Sequence, residues 1–440
     1  MLVRSMYDYK NSLLLRLLIC FFFSLVYVVY PSDLLGVVLF VILLWFLDLK
    51  GSEFSFEKIS LIILVILQFG VVFALFLSYF YDVAPMGMSK VRIYYYTESS
   101  VRTALFVALQ QLFMVSIVLN YKSNYLFRNS VRPVNDVFVF FSLLGLLLSS
   151  YFANRSGTII AGGYGPGFKE VMWGGWSLLY VLCASVLLYQ SLLYKRISII
   201  SVLSLSVLYW LLHANRGEVF VLAFLLGLIL LLPPKGKVLS FSKAILYFCV
   251  LVVFYFIFEV VGGTRSVGIS EYDFAFGFVE GGVLSISTIG SAAWSLISSI
   301  NIADASGYMY GGSFLNYFTR ALPSFIPVPW EVSVDIAKYT SEAYTRGGSG
   351  FAGEAYINFG VFGPSAIAYI FVYFLRYLLS KGSSSPVYAC FFLVMVLYSP
   401  RLIFYGYIYL VKALFLFLGI LLLSRAFAFG NISFVFGKAK

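Results

Sequence analysis

The sequence predicts an all-α polytopic integral membrane protein of about twelve transmembrane helices with one large loop between the ninth and the tenth. Three observations lead there. Of 440 residues, 61% are hydrophobic and only 11% charged, and the mean hydropathy is +0.95, which leaves too little polar surface to cover a soluble globule of this size. Apolar runs of bilayer length repeat along nearly the whole chain. They are interrupted once, by a stretch of roughly ninety residues between positions 262 and 354.

The runs lie near 13–30, 34–48, 59–81, 102–120, 136–153, 175–194, 197–213, 218–232, 243–262, 355–379, 386–400 and 402–424. Helices are the expected form, because backbone amides in hydrocarbon must pair within their own segment and the runs are too long and too uniformly apolar for barrel strands. The second, eighth and eleventh are short, as tilted or half-buried helices are. The chain divides accordingly into 1–261 with nine helices and short loops, 262–354 as the large loop, and 355–440 with three helices and a C-terminal tail. Within the large loop, an apolar stretch near 283–300 reads as a re-entrant or interfacial helix. The proline-rich piece from Ala321 to Trp330 reads as an extended wall.

The net charge of +11 comes from Lys and Arg in short connections between apolar runs, so it bears on orientation and not on nucleic acid. With the N-terminus inside, the inner connections hold about three-fifths of the 30 Lys and Arg, as the positive-inside rule requires. Both termini then face the cytoplasm, and nearly all loop length lies on the outer side. Any chemistry is expected there. Arg4, Lys10 and Arg16 ahead of the first run imitate a signal peptide, but Tyr27 to Pro31 is no small-residue cleavage site, so the run is read as an uncleaved span. Aromatic residues make up 20% of the chain; interfacial belts account for them, and stacking on sugar faces is a second use. Cys20, Cys183, Cys249 and Cys390 all lie in apolar runs without ligand spacing, so neither disulfides nor a metal site is expected.

Arginines at the outer edge are the first anomaly. Arg155, Arg216, Arg265, Arg320, Arg346 and Arg401 lie where the positive-inside bias should have thinned them. Guanidinium forks suit phosphate oxygens and never lose their charge, so converging arginines can cradle a pyrophosphate; snorkelling to headgroups is the plainer role. Arg216, in the turn His213-Ala214-Asn215-Arg216-Gly217-Glu218, sits where a charge needs an anionic partner. Glu218 or a lipid phosphate can supply it. Glu354, approached through Gly347, Gly348, Gly350 and Gly353, is the second anomaly. A carboxylate at the mouth of an apolar site can take a proton from an attacking hydroxyl, and one at a helix N-terminus can simply complement the macrodipole. His213 is the only histidine, and there is no Walker loop, dinucleotide fingerprint or His-Glu-x-x-His motif. No metal and no cofactor is expected.

Two segments, Asn215-Arg216-Gly217-Glu218 and Gly348-Ser349-Gly350-Phe351-Ala352-Gly353-Glu354-Ala355-Tyr356-Ile357-Asn358-Phe359-Gly360, give the chain a pattern that resembles the Wzy-type O-antigen, or oligosaccharide repeat-unit, polymerases. Order, topology and length are similar over essentially the whole chain. The resemblance implies a GT-C-like, metal-independent glycosyltransferase at the periplasmic face of the bacterial inner membrane. Such an enzyme moves a growing glycan from undecaprenyl pyrophosphate onto a lipid-linked repeat unit, and a chain-length regulator is an expected partner. It implies that Arg216 holds donor pyrophosphate, with Arg265, Arg320 and Arg346 as further contacts. Glu354 would orient or deprotonate the acceptor hydroxyl, with Glu218 and Tyr356 completing the substrate site. The alternatives are a lipid-linked oligosaccharide flippase and an O-antigen ligase. No internal repeat supports the first, and no histidine in the large loop supports the second.

Overall fold

A computed structural model describes residues 12–46, 55–81, 97–120, 134–153, 174–194, 196–212, 217–231, 246–247, 249–250, 253, 288–315, 350–382, 385–406 and 408–429. Those residues are helical almost throughout, with no strand among them. The helices are α1 (Leu13–Val29), α2 (Asp33–Phe46), α3 (Phe56–Tyr81), α4 (Glu98–Val115, continued by a 3-10 turn Ser116–Asn120), α5 (Asp136–Ala153), α6 (Gly174–Tyr194), α7 (Ile197–Leu212) and α8 (Gly217–Leu231). After them come α9 (Thr288–Ser306), α10 (Gly350–Phe359), a 3-10 turn Gly360–Phe362, α11 (Gly363–Gly382), α12 (Pro386–Leu397), α13 (Ser399–Tyr405) and α14 (Ile408–Phe429). Among the described residues, 5 helical stretches are by length and composition alone sufficient to cross a bilayer: Phe56–Tyr81, Glu98–Asn120, Asp136–Ala153, Trp176–Tyr194 and Gly350–Gly382, the last of them interrupted at Gly360–Phe362. The protein is a helical membrane protein.

Local chemistry sets several of the helix starts. Ser12 caps α1 by accepting from the amide of Leu15 at 3.2 Å, and Thr97 and Ser100 form a reciprocal capping box at α4. Pro386 opens α12, where its missing N–H costs nothing. The outward faces are apolar: Leu14, Leu18, Phe22 and Leu25 on α1, and Phe138, Phe140, Phe141 and Leu147 on α5, are all exposed. In water such faces would be a liability, whereas against lipid tails they are the ordinary surface.

Inside the bundle, where lipid is as apolar as any side chain, association depends on close packing and on polar bonds of about 0.6 kcal/mol each. Both are present. Gln110 donates to Ser24 Oγ at 2.7 Å, Tyr27 bonds Thr103 at 3.0 Å, and Trp210 Nε1 donates to Ser150 Oγ at 3.0 Å. Arg16 is fully buried between the rings of Phe46 and Phe113 and donates to the Phe113 carbonyl and to Ser116 Oγ. That cluster joins the start of α1 to the ends of α2 and α4. At the other end, Asp33 at the start of α2 meets Tyr79 near the end of α3 and Arg102 near the start of α4. The first four helices therefore alternate in direction, as consecutive spans with short connections must.

The expected runs at 13–30, 34–48, 59–81, 136–153, 175–194, 197–213 and 218–232 match α1 to α3 and α5 to α8 within a few residues. Four places differ. Helix α4 starts at Glu98, ahead of the run expected from 102, because the capping box at Thr97 to Ser100 recruits the polar first turn. The apolar stretch within the large loop is the 19-residue helix α9, and it is interior. Ala293, Ile297 and Ile300 are fully buried, and α9 packs on α3, α4 and α10. The run expected at 355–379 begins at Gly350 and is broken at Gly360–Phe362, where Gly360 takes φ +60°. The break lets α11 fold back onto α10. The turn expected at Pro400-Arg401 lies instead in the first turn of α13, since proline is at home there, and that helix ends at Gly406. The run at 243–262 lies largely outside the described residues, as does Ala321 to Trp330.

Candidate functional site

The site is assembled from α10, from the segment that follows α9, and from the end of α13. On α10 the positions 354 and 358 are one turn apart and share a face. Glu354 and Asn358 both have no exposed surface. Opposite them the chain leaves α9 at Gly307 and runs alongside α10, the amides of Met309 and Tyr310 donating to the carbonyls of Ile357 and Asn358 at 2.9 and 3.1 Å. This pairing brings Ser313, which is also fully buried, onto the shared face of Glu354 and Asn358.

A directed relay results. Asn358 Nδ2 donates to Ser313 Oγ at 2.6 Å and to the Glu354 carbonyl at 2.8 Å. Ser313 Oγ donates in turn to Glu354 Oε1 at 3.0 Å. Asn358 Oδ1 accepts from the amides of Gly311 at 3.0 Å and Ser313 at 3.4 Å, so this one side chain fixes the loop, the serine and the helix together. The other carboxylate oxygen faces Gly406, which has φ +100°. A Cβ at that position would stand 2.7 Å from Glu354 Oε2. The conformation at 406 therefore favours glycine, and a Cβ there would push the carboxylate out of its place.

A carboxylate buried this fully needs polar partners, because an isolated charge in a low dielectric is costly. Glu354 is the fifth residue of α10, just past the turn where the macrodipole acts most strongly. The hydroxyl of Ser313 is one partner of its carboxylate. Chemically, Glu354 is a proton acceptor already bonded to a hydroxyl at 3.0 Å, the distance a general base needs from the group it deprotonates.

Tyr356 faces the other way, as a residue two positions from Glu354 on a helix must. Its hydroxyl donates to Asp304 Oδ1 at 3.0 Å, and its ring meets Tyr308 edge-on with centroids 6.0 Å apart. Partial burial raises the Asp304 carboxyl above its ordinary value, while the Tyr356 hydrogen bond lowers it. Tyr310, 81% exposed, is held at φ +48°, the left-handed region that a bulky residue seldom occupies.

The sequence singled out seven residues. Glu354 and Tyr356 are placed, on opposite faces of α10. Arg216, Arg265, Arg320 and Arg346 lie outside the described residues, and Glu218 is described in its backbone alone, as the second residue of α8. Arg401, another of the outer-edge arginines, falls in α13, which packs on α10. Ser313, Asn358, Gly406 and Asp304 were not singled out. The spacing of Glu354 and Asn358, two polar residues one turn apart in an apolar stretch, was the available signal for Asn358. Among the described residues no group of His, Cys, Asp and Glu is placed to hold a metal ion. No family model, curated protein or solved structure matches the chain.

Proposed function

We propose that the protein is a polymerase of lipid-linked oligosaccharide repeat units, of about twelve spans and GT-C-like, acting at the outer face of a bacterial inner membrane with both termini cytoplasmic. One observation carries the reading. The segment whose sequence resembles the Wzy-type polymerases is built around a buried carboxylate, Glu354, that accepts a hydrogen bond from a hydroxyl at 3.0 Å. Its closing turn lies against α1 at Ser24, whose Oγ donates to the Val361 carbonyl at 3.5 Å. Ser24 is in the C-terminal half of α1, toward the end that faces outward if the N-terminus is inside.

In this reading Ser313 holds the place of the acceptor hydroxyl. The acceptor sugar displaces the serine hydroxyl from Glu354 Oε1, and Asn358 keeps the serine within reach as the loop moves aside. Glu354 takes the acceptor proton as that oxygen attacks the anomeric carbon of the donor glycan. The bond to pyrophosphate breaks, and the polyprenyl pyrophosphate departs. Arg216, Arg265, Arg320 and Arg346 are the residues proposed to neutralise the charge developing on it, a task that guanidinium groups perform without a metal. A chain-length regulator is the proposed protein partner.

The test is the lipopolysaccharide banding pattern of cells without the protein, and of the same cells carrying wild type, Glu354→Gln or Arg216→Ala. The proposal requires that the deletion leave core bearing a single repeat, that wild type restore the ladder, and that neither variant do so. Bare core in the deletion would point to a flippase or ligase. A full ladder from both variants would remove these residues from the mechanism.

A further inference from the structure

A groove of about 420 Å³ opens between α2, α3 and α4, away from the Glu354 cluster. Its walls are apolar and aromatic, formed by Val37, Phe40, Phe73, Phe76, Phe106 and Leu109, and its floor is opened by Gly36, where a side chain would otherwise project toward Leu109. A groove of this kind on the lipid-facing side of a helical bundle has the shape and chemistry of one alkyl tail.

The end of the groove is different in kind. Asp33, Tyr79 and Arg102 line it there. Tyr79 donates to Asp33 Oδ1 at 2.8 Å, and Arg102 pairs with the same oxygen at 3.1 Å and with Glu98 at 3.0 Å while donating to the Pro31 carbonyl at 3.4 Å, which leaves two of its five N–H groups for a ligand. Both carboxylates are well exposed, with side chains 51% and 74% accessible for Asp33 and Glu98, while Arg102 is at 28%. Among the described residues, one guanidinium faces two carboxylates at this end of the groove, a net charge of one negative. An anionic headgroup would meet that surplus unfavourably. A headgroup carrying both an ammonium and a phosphate matches it: the ammonium between Asp33 and Glu98, the phosphate on the remaining N–H groups of Arg102.

We propose that this groove is a binding site for a single zwitterionic phospholipid with a primary ammonium head, its tail seated along Phe40, Phe73 and Phe106 and its head held by Asp33, Glu98 and Arg102. The site does not depend on the polymerase reading. It would hold one lipid through extraction from the membrane, where ordinary surrounding lipid exchanges away.

The experiment purifies the full chain in mild detergent with extensive washing and quantifies retained lipid by mass spectrometry. Wild type is expected to retain close to one phosphatidylethanolamine per chain, enriched over its share of the host membrane. Gly36→Leu fills the groove on a helix that accepts leucine readily, and should strip the lipid while leaving thermal unfolding unchanged. Asp33→Asn combined with Glu98→Gln should keep a lipid in place but abolish the preference for ethanolamine over glycerol heads. Retention no greater in wild type than in Gly36→Leu would overturn the proposal, as would retained lipid that is mainly phosphatidylglycerol or a polyprenyl-linked glycan. A headgroup preference unchanged by the paired carboxamides would overturn the assignment of the head.

Discussion

Replacing Asn358 with leucine tests whether the cluster around Glu354 is a single unit. The two side chains share a γ-branched shape, although leucine is the bulkier and adds an overpacking cost of about 1–3 kcal/mol, and leucine removes an acceptor from the amides of Gly311 and Ser313 and a donor from Ser313 Oγ and the Glu354 carbonyl. An unsatisfied buried amide costs about 1–3 kcal/mol, so losing the acceptor for two of them predicts a destabilisation of roughly 2–5 kcal/mol, with the weaker 3.4 Å bond counted low. Ser313→Ala alone removes one hydroxyl that bonds both neighbours and should cost about 1 kcal/mol. Because the residues share a hydrogen bond, the double variant should fall short of the sum by about 0.5–3 kcal/mol. Equilibrium unfolding of the purified protein in mixed micelles measures all three. Additive costs would mean that the relay is geometrically present and energetically empty. An Asn358→Leu protein as stable as wild type would mean that the Asn358 hydrogen bonds do not hold the cluster together.

Three further outcomes follow from neighbouring features. Gly406→Ala forces a Cβ to within 2.7 Å of Glu354 Oε2 at φ +100°; it should destabilise the fold by about 1–3 kcal/mol and abolish polymer formation together, which unfolding curves and glycan gels will show. Tyr310→Asn should stabilise by about 1 kcal/mol, since the φ of +48° suits asparagine and the exposed ring loses little contact. Tyr356→Phe removes the hydrogen bond that lowers the already raised carboxyl of Asp304, so that carboxyl rises further. A group raised on folding stabilises most below its unfolded value of 3.8 and loses that contribution as pH rises through the folded value. The stability deficit of the variant should therefore grow as pH rises from 3.8 through the folded value and then level off, as unfolding measured across pH will reveal.

Most helices were legible because each is an apolar run with polar ends, and a run such as 136–153 defines its own boundaries. What was hidden depends on contacts distant in sequence. The stretch 283–300 was visible as apolar, but the burial of α9 among α3, α4 and α10 comes from partners more than forty residues away. The break at Gly360 lies inside a continuous hydrophobic signal, where a single glycine is ordinarily tolerated. The candidate site was half visible. Glu354 stood out as a charge beside a span, whereas Ser313 acquires meaning only when pairing between 309–310 and 357–358 sets it against a residue 41 positions away. Gly406 carried no sequence signal, since what it accommodates is the carboxylate itself.

In the proposed mechanism Glu354 serves chemistry and does more than close a buried network. Purified protein in liposomes, supplied with lipid-linked repeat units, tests it most directly. Wild type should convert them into a ladder of longer lipid-linked glycans with release of polyprenyl pyrophosphate. Glu354→Gln, which still accepts the bond from Ser313, should unfold like wild type and elongate about 10²–10⁴-fold more slowly. Elongation at the wild-type rate by Glu354→Gln would leave Glu354 a structural residue, and none by wild type would mean that the protein is not a polymerase.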